Sequence, residues 1–137
     1  MSEDEVLVDA EDVPDPELNR ITNAILGAAI AVHRALGPIF PETVYGKALA
    51  IEFTVLGIRF RAECPVQVVY RGELVGTGKV DFPVGEKVIV EIKTVDSLAP
   101  IHTAQLISYL RATKCKLGLL INFNVRRLKD GIKRIAA

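Results

Sequence analysis

The spacing of hydrophobic positions changes character several times along the chain. Leu18, Ile21, Ile25, Ala28, Ala29 and Val32 recur at the interval that places side chains on one face of a helix. Asp15, Pro16 and Glu17 read as the N-cap and first turn of that helix, and Gly37-Pro38 stops it. Pro41 and Glu42 open a second helix that carries Val44, Ala48, Leu49, Ile51 and Leu56 until Gly57 ends it. The period then falls to two. Ile58, Phe60, Ala62 and Cys64 alternate with Arg59, Arg61 and Glu63, and Val66, Val68 and Tyr70 alternate beyond Pro65, which predicts strands. Arg71-Gly72-Glu73 reads as a turn, Val75 to Phe82 as a third strand, and Lys87 to Val95 as a fourth. The tight connection Pro83 to Glu86 joins the last two into a hairpin.

Pro100 opens a helix through about Thr113, with Ile101, Ala104, Leu106, Ile107 and Leu110 as its apolar positions. Leu117 to Phe123 is an unbroken apolar run, the signature of a strand covered on both faces, and is expected at the centre of the sheet. After Val125 the pattern admits a short basic helix or a turn at Asp130-Gly131 followed by an edge strand from Ile132 to Ile135; the strand is favoured. Residues 1–13 have no periodicity and read as a flexible acidic leader to a single α/β domain over 14–137.

Composition narrows the class. A chain of 137 residues, half hydrophobic and one quarter charged, suits one soluble domain with a core of its own. No apolar run approaches the roughly 20 residues that cross a bilayer, and the N-terminus is acidic where a secretory signal is basic. A cytoplasmic protein with no membrane partner is expected. Cys64 and Cys115 stand far apart without a CxxC or a histidine pair, so they read as small core residues. The net charge is zero, but eight acids and no base fall within residues 1–17, leaving nine acids against seventeen bases in the remainder. That basic body permits phosphate binding, although a solvated basic surface beside an acidic tail has the same composition.

The candidate chemistry lies on the hairpin. Glu91 and Lys93 are two apart on one strand and so share a face, and a turn centred on Val84-Gly85 puts Asp81 across from about Ile89, one diagonal step from Glu91. Two converging carboxylates suit a hard cation such as magnesium, whose remaining positions go to water and phosphate. A lysine beside them can orient or deprotonate a water. An ordinary solvated strand with a cross-strand ion pair shows the same three residues; the placement of VIVEIK, apolar at its start and charged at its far end, favours a site. Gln105 and Tyr109 are four apart on the next helix, able to hold a phosphate or steady the lysine, and equally able to be a polar stripe. Glu42 can supply a third carboxylate or simply answer the helix dipole. His33 and His102 read as core or capping residues.

Taken in order, these segments resemble the PD-(D/E)xK nuclease superfamily, and within it the small GxxExxY proteins. The matching stretches are Ala31 to Pro38 (AVHRALGP), Glu42-Thr43-Val44-Tyr45, the Asp81 strand, Val90-Glu91-Ile92-Lys93, Pro100 to Leu110, and Leu119 to Asn124 (LLINFN). The resemblance implies a restriction-endonuclease-like core, a mixed central sheet flanked by helices. It implies Asp81 and Glu91 as metal ligands helped by the Ile92 carbonyl, Lys93 as the catalytic lysine, Glu42 as the acid of the preceding helix, and Gln105 with Tyr109 as a QxxxY element. The chain departs from the motif where Ile39 stands in place of the first glycine, where Pro41 precedes the glutamate, and where Val80 precedes Asp81.

The function expected from these features is a magnesium- or manganese-dependent nuclease that hydrolyses phosphodiester bonds, of DNA rather than RNA. It would hold the backbone with Arg126, Arg127, Lys129, Lys133 and Arg134 and work as a homodimer. The alternative is a non-catalytic nucleic-acid- or protein-binding module on the same fold.

Overall fold

The computed structural model describes residues 15–137 and, before them, the backbone of Leu7–Val8. Helix α1 spans Pro16–Leu36; Asp15 Oδ1 caps it by accepting from the N–H groups of Glu17 and Leu18 at 3.0 and 3.3 Å. Helix α2 spans Glu42–Val55 and helix α3 Pro100–Thr113. A central sheet has the order β1(Leu7–Val8), β7(Ile132–Ala136), β6(Leu117–Asn122), β5(Val88–Lys93), β4(Phe82–Val84). Strands β5 and β6 run parallel with α3 as their crossover, and the remaining pairs are antiparallel. β6 is the middle strand, as its unbroken apolar run predicts. Two further strands, β2(Cys64–Tyr70) and β3(Glu73–Val80), form a separate hairpin.

The two faces of the sheet are covered differently. Val88, Val90 and Ile92 of β5 and Leu117, Leu119 and Ile121 of β6 pack under α1 and α2 together with Ile25, Leu49 and Phe53. Full burial of such side chains contributes about 1.5–3 kcal/mol each. Ile89, Leu120 and Ile135 face the other way, against Leu106 and Leu110 of α3 and Val66 and Val80 of the hairpin.

Several expectations change. The stretch from Ile58 to Glu63 is not a strand. It runs beside β4 with a single bridge, Phe60 to Val84, and backbone bonds such as Arg61 N–H to Pro83 C=O, and it breaks at Glu63, whose φ of 51° lies in the left-handed region. The strand expected from Val75 to Phe82 is two: β3 belongs to the hairpin, β4 to the central sheet, and the chain bends between them at Asp81. The β4–β5 register is Phe82 to Val90, two residues from the expected pairing, because the turn takes in Gly85 and Glu86, both with positive φ, and Lys87. In the leader, Leu7–Val8 pairs with Ala136 and Ile135; the other residues of the expected flexible segment lie outside the described ones. The tail follows the favoured alternative in being a short 3-10 turn over Leu128–Gly131 and then a strand, β7, but that strand is not at the edge, because Leu7–Val8 pairs along its outer side.

Candidate active site

Asp81 occupies the point where the chain passes from one sheet to the other. Continuing the β4–β5 register puts it directly opposite Glu91. Because β3 has turned away, the Ile92 N–H lacks a continuing strand to bond, and Asp81 Oδ2 accepts from it at 2.8 Å instead. This bond holds the half-buried Asp81 carboxylate against the end of β5.

Glu91 is the unusual group. It is 4% exposed, and its Oε1 has no hydrogen-bond partner. Burial pushes its pKa up to about 8, helped by the Asp81 charge and a hydrogen bond with the Asp81 side chain, and opposed by the charge of Lys93. Glu42, in the first turn of α2, also has its pKa raised, first by partial enclosure and then by Asp81, while Lys93 and Lys79 pull it down. Asp81 and Lys93 therefore act on both Glu42 and Glu91. Lys93 Nζ donates to Gln105 Oε1 at 3.1 Å, which ties the end of β5 to α3.

A buried carboxyl with an unpartnered oxygen is costly in a folded protein unless something of opposite charge meets it. Among the described residues no three or more His, Cys, Asp or Glu gather into a cluster able to hold a metal. A two-carboxylate donor set is nonetheless what magnesium ordinarily takes from protein, since it keeps several waters. The orphaned Glu91 oxygen beside Asp81 fits a divalent cation, and the residues that would hold it are those two.

The model of the PD-(D/E)XK nuclease superfamily matches residues 19–135. The chain belongs to this superfamily. No curated protein and no solved structure matches it. The mixed sheet flanked by helices is the fold expected of the superfamily, whose nucleases generally use divalent metals.

Tyr109, one turn beyond Gln105, lies over Gly78 of β3, where an added Cβ would come within 2.8 Å of its ring; it docks the hairpin on α3. Ile39 is 84% exposed and has a φ of 79°, so this position keeps the backbone conformation that a glycine would adopt without strain. The loop around it is held by Tyr45, whose hydroxyl donates to the Gly37 carbonyl and accepts from Phe40 N–H, and whose ring stacks on Phe123.

The basic tail divides. Arg126, Arg127 and Lys129 are exposed on the loop after β6, which begins beside the site because Asn122 pairs with Lys93. Lys133 is half-buried at a second cleft with Asp96 and Asp130. Arg134 is a correction: it is 9% exposed, and its guanidinium donates to Asn19 Oδ1 at 2.7 Å, so it packs against α1 and is not open to a nucleic-acid backbone. The two histidines are structural. His33 Nε2 bonds the Val125 carbonyl oxygen at 2.8 Å, and His102 Nδ1 accepts from Ala99 N–H at 2.9 Å.

Sequence reasoning missed three residues. Asn122, buried at the end of β6, accepts from Val95 N–H at 3.1 Å and donates to Val95 C=O at 2.9 Å, fixing the loop that follows Lys93. The signal was a lone amide closing an apolar strand. Lys47 and Lys79 line a cleft of about 420 Å³ shared with Glu42 and Asp81. Lys79 stands two before Asp81 and could have been noticed; Lys47 depends on how α2 is placed. No helix among the described residues is long and apolar enough to cross a membrane.

Proposed function

We propose that the protein is a magnesium- or manganese-dependent nuclease acting on DNA in preference to RNA, and a GxxExxY-type member of its superfamily. The observation that carries this reading is the buried Glu91 carboxyl, with an unpartnered oxygen, facing Asp81. Asp81 and Glu91 would hold the cation. The Ile92 carbonyl would assist, since the N–H and C=O of one extended residue point to the same side and its N–H already reaches Asp81. A divalent cation, when bound, supplies the charge that polarises a scissile phosphate.

The side chains supply the remainder. Lys93, held by Gln105, orients the attacking water and offers positive charge to the phosphate as charge builds on it. Glu42 faces the same space and can accept a proton from that water, which its raised pKa favours. Arg126, Arg127, Lys129 and Lys133 would contact the backbone to either side. The residues a non-catalytic module would be free to lose are all present, so no observation favours that alternative. As a homodimer the protein would have the β2–β3 hairpin to bury, where Val69, Tyr70, Leu74 and Val75 are all more than half exposed; light scattering at micromolar concentration reads this directly.

The test is cleavage of plasmid, single-stranded DNA and RNA with each metal in turn. DNA cleavage that needs the metal and disappears in Asp81→Asn supports the proposal. Intact substrates with both metals over a range of salt contradict it, and metal-independent nucleic-acid binding without cleavage would favour the binding module.

A further inference from the structure

The cleft beside the carboxylates is built for more than a phosphate. It shares Glu42 and Asp81 with the site and extends along α2, whose Glu42, Gly46 and Ala50 recur every four residues and so present one face to it. Ala62 and Phe82 complete an apolar wall, and the exposed Lys47 and Lys79 set two positive charges on the rim, with the acid Glu63 beside Lys79. Lys79 is only loosely engaged, by an exposed ion pair with Glu63 at 3.7 Å. The space is about 420 Å³. Sites for single small molecules begin near 300 Å³, so the cleft, open to solvent on one side, is large enough for one nucleotide-sized group.

Gly46 sharpens the point. Glycine inside a helix is a poorer choice than alanine, and some packing need usually explains it. Here a Cβ added at Gly46 would meet no atom within 4 Å. Nothing in the protein requires the missing side chain, and the space it would enter is the cleft. Gly27 in α1 is the contrast: it too would meet nothing, but it is exposed and lies outside the cleft.

We propose that this cleft holds one unpaired nucleotide adjoining the scissile phosphate, so that the substrate is a single strand or a splayed end and not an intact duplex. The inference rests on the nuclease reading above. An unpaired nucleotide would lay its sugar and base against Gly46, Ala50 and Ala62, with its phosphate between Lys47 and Lys79. A paired one would have to leave its partner first, at an energetic cost of unstacking and unpairing.

The experiment compares a fluorescein-labelled single strand, the same sequence as a blunt duplex, and the duplex with an unpaired 3′ extension. Binding is read by anisotropy with Asp81→Asn in magnesium, and cleavage with the otherwise unaltered chain. The expected result is cleavage of the single strand and the extension at least tenfold faster than the duplex. Gly46→Leu should lose tenfold or more in single-strand binding with no drop in unfolding temperature. Gly27→Ala should leave binding and cleavage unchanged. Equal cleavage of duplex and single strand, or unaltered binding by Gly46→Leu, overturns the inference while leaving the nuclease reading intact. Single-strand binding lost in Gly46→Leu, in a protein that cuts nothing, upholds the cleft and removes the nuclease reading. A chain that neither binds nor cuts any of the three removes both.

Discussion

Strands β5 and β6 present two faces with opposite tasks. Toward α1 and α2 they offer Val88, Val90, Ile92, Leu117, Leu119 and Ile121, all essentially without solvent exposure. Toward α3 and the hairpin they offer Ile89 and Leu120, and then Glu91, Lys93 and Asn122 at their C-terminal ends. The first face is uninterrupted hydrocarbon, and its contribution is burial. The second is apolar only where α3 covers it and becomes polar where the two parallel strands end, so one pair of strands carries both the stability and the chemistry. The difference shows why the buried Glu91 is tolerated: the other face supplies the stability that a buried carboxyl with one unpartnered oxygen consumes.

Breaking the apolar face gives the largest effect on folding. Leu119→Ala removes a fully buried side chain from the middle strand and should destabilise by about 2–5 kcal/mol, seen as a lower urea midpoint. Magnesium affinity of the folded protein should stay as it was. A loss of affinity as large as the loss of stability would show that the two faces are not separable.

The opposite experiment acts on the polar face. Glu91 has its folded-state pKa raised to about 8, while in the unfolded chain it titrates at its ordinary, lower value. Between those two values the folded, metal-free protein holds a proton that the unfolded chain has released, so stability falls as pH rises through this window. Glu91→Gln cannot titrate. Its urea midpoint should therefore change less between pH 5 and pH 8.5 than that of the unaltered chain, and at pH 8.5 without metal it should be the more stable of the two. Cleavage should fall by about two orders of magnitude or more. A variant less stable than its parent at pH 8.5 would mean that Glu91 is satisfied after all.

Much of this arrangement was legible in the sequence because it rests on local rules. The cap at Asp15, the run Leu117 to Phe123 and the helix opening at Pro100 depend on short-range preferences, and Glu91 and Lys93 share a face by the pleat alone. The rest depends on tertiary contact. No periodicity reveals that one extended run from Val75 to Phe82 serves two sheets, yet that bend is what frees the Asp81 carboxylate to bond Ile92 N–H. Arg134 looked like part of a basic tail and is instead buried beside Asn19, because strand alternation turns it inward. Lys47 reaches the cleft only once α2 is packed against β5.

Two smaller changes refine the comparison. Asn122→Ala leaves the Val95 N–H and C=O without their side-chain partner, at a cost of about 1–3 kcal/mol. If Asn122 positions the loop after Lys93, cleavage should drop further than stability explains, with the rate constant falling more than substrate affinity. Ile39→Gly acts outside both faces. It relieves a β-branched residue at φ 79° and should raise stability by about 1 kcal/mol with cleavage unchanged; a loss of stability would mean that the exposed Ile39 side chain makes a contact of its own.

Magnesium titration of the intact protein by calorimetry, alongside Glu91→Gln and Asp81→Asn, probes the site most directly. The expected result is saturable binding at pH 8 that tightens as pH rises, since Glu91 must shed its proton, and that both substitutions abolish without unfolding the protein. Equal magnesium binding by all three proteins would contradict the assignment of Asp81 and Glu91 as the cation's ligands.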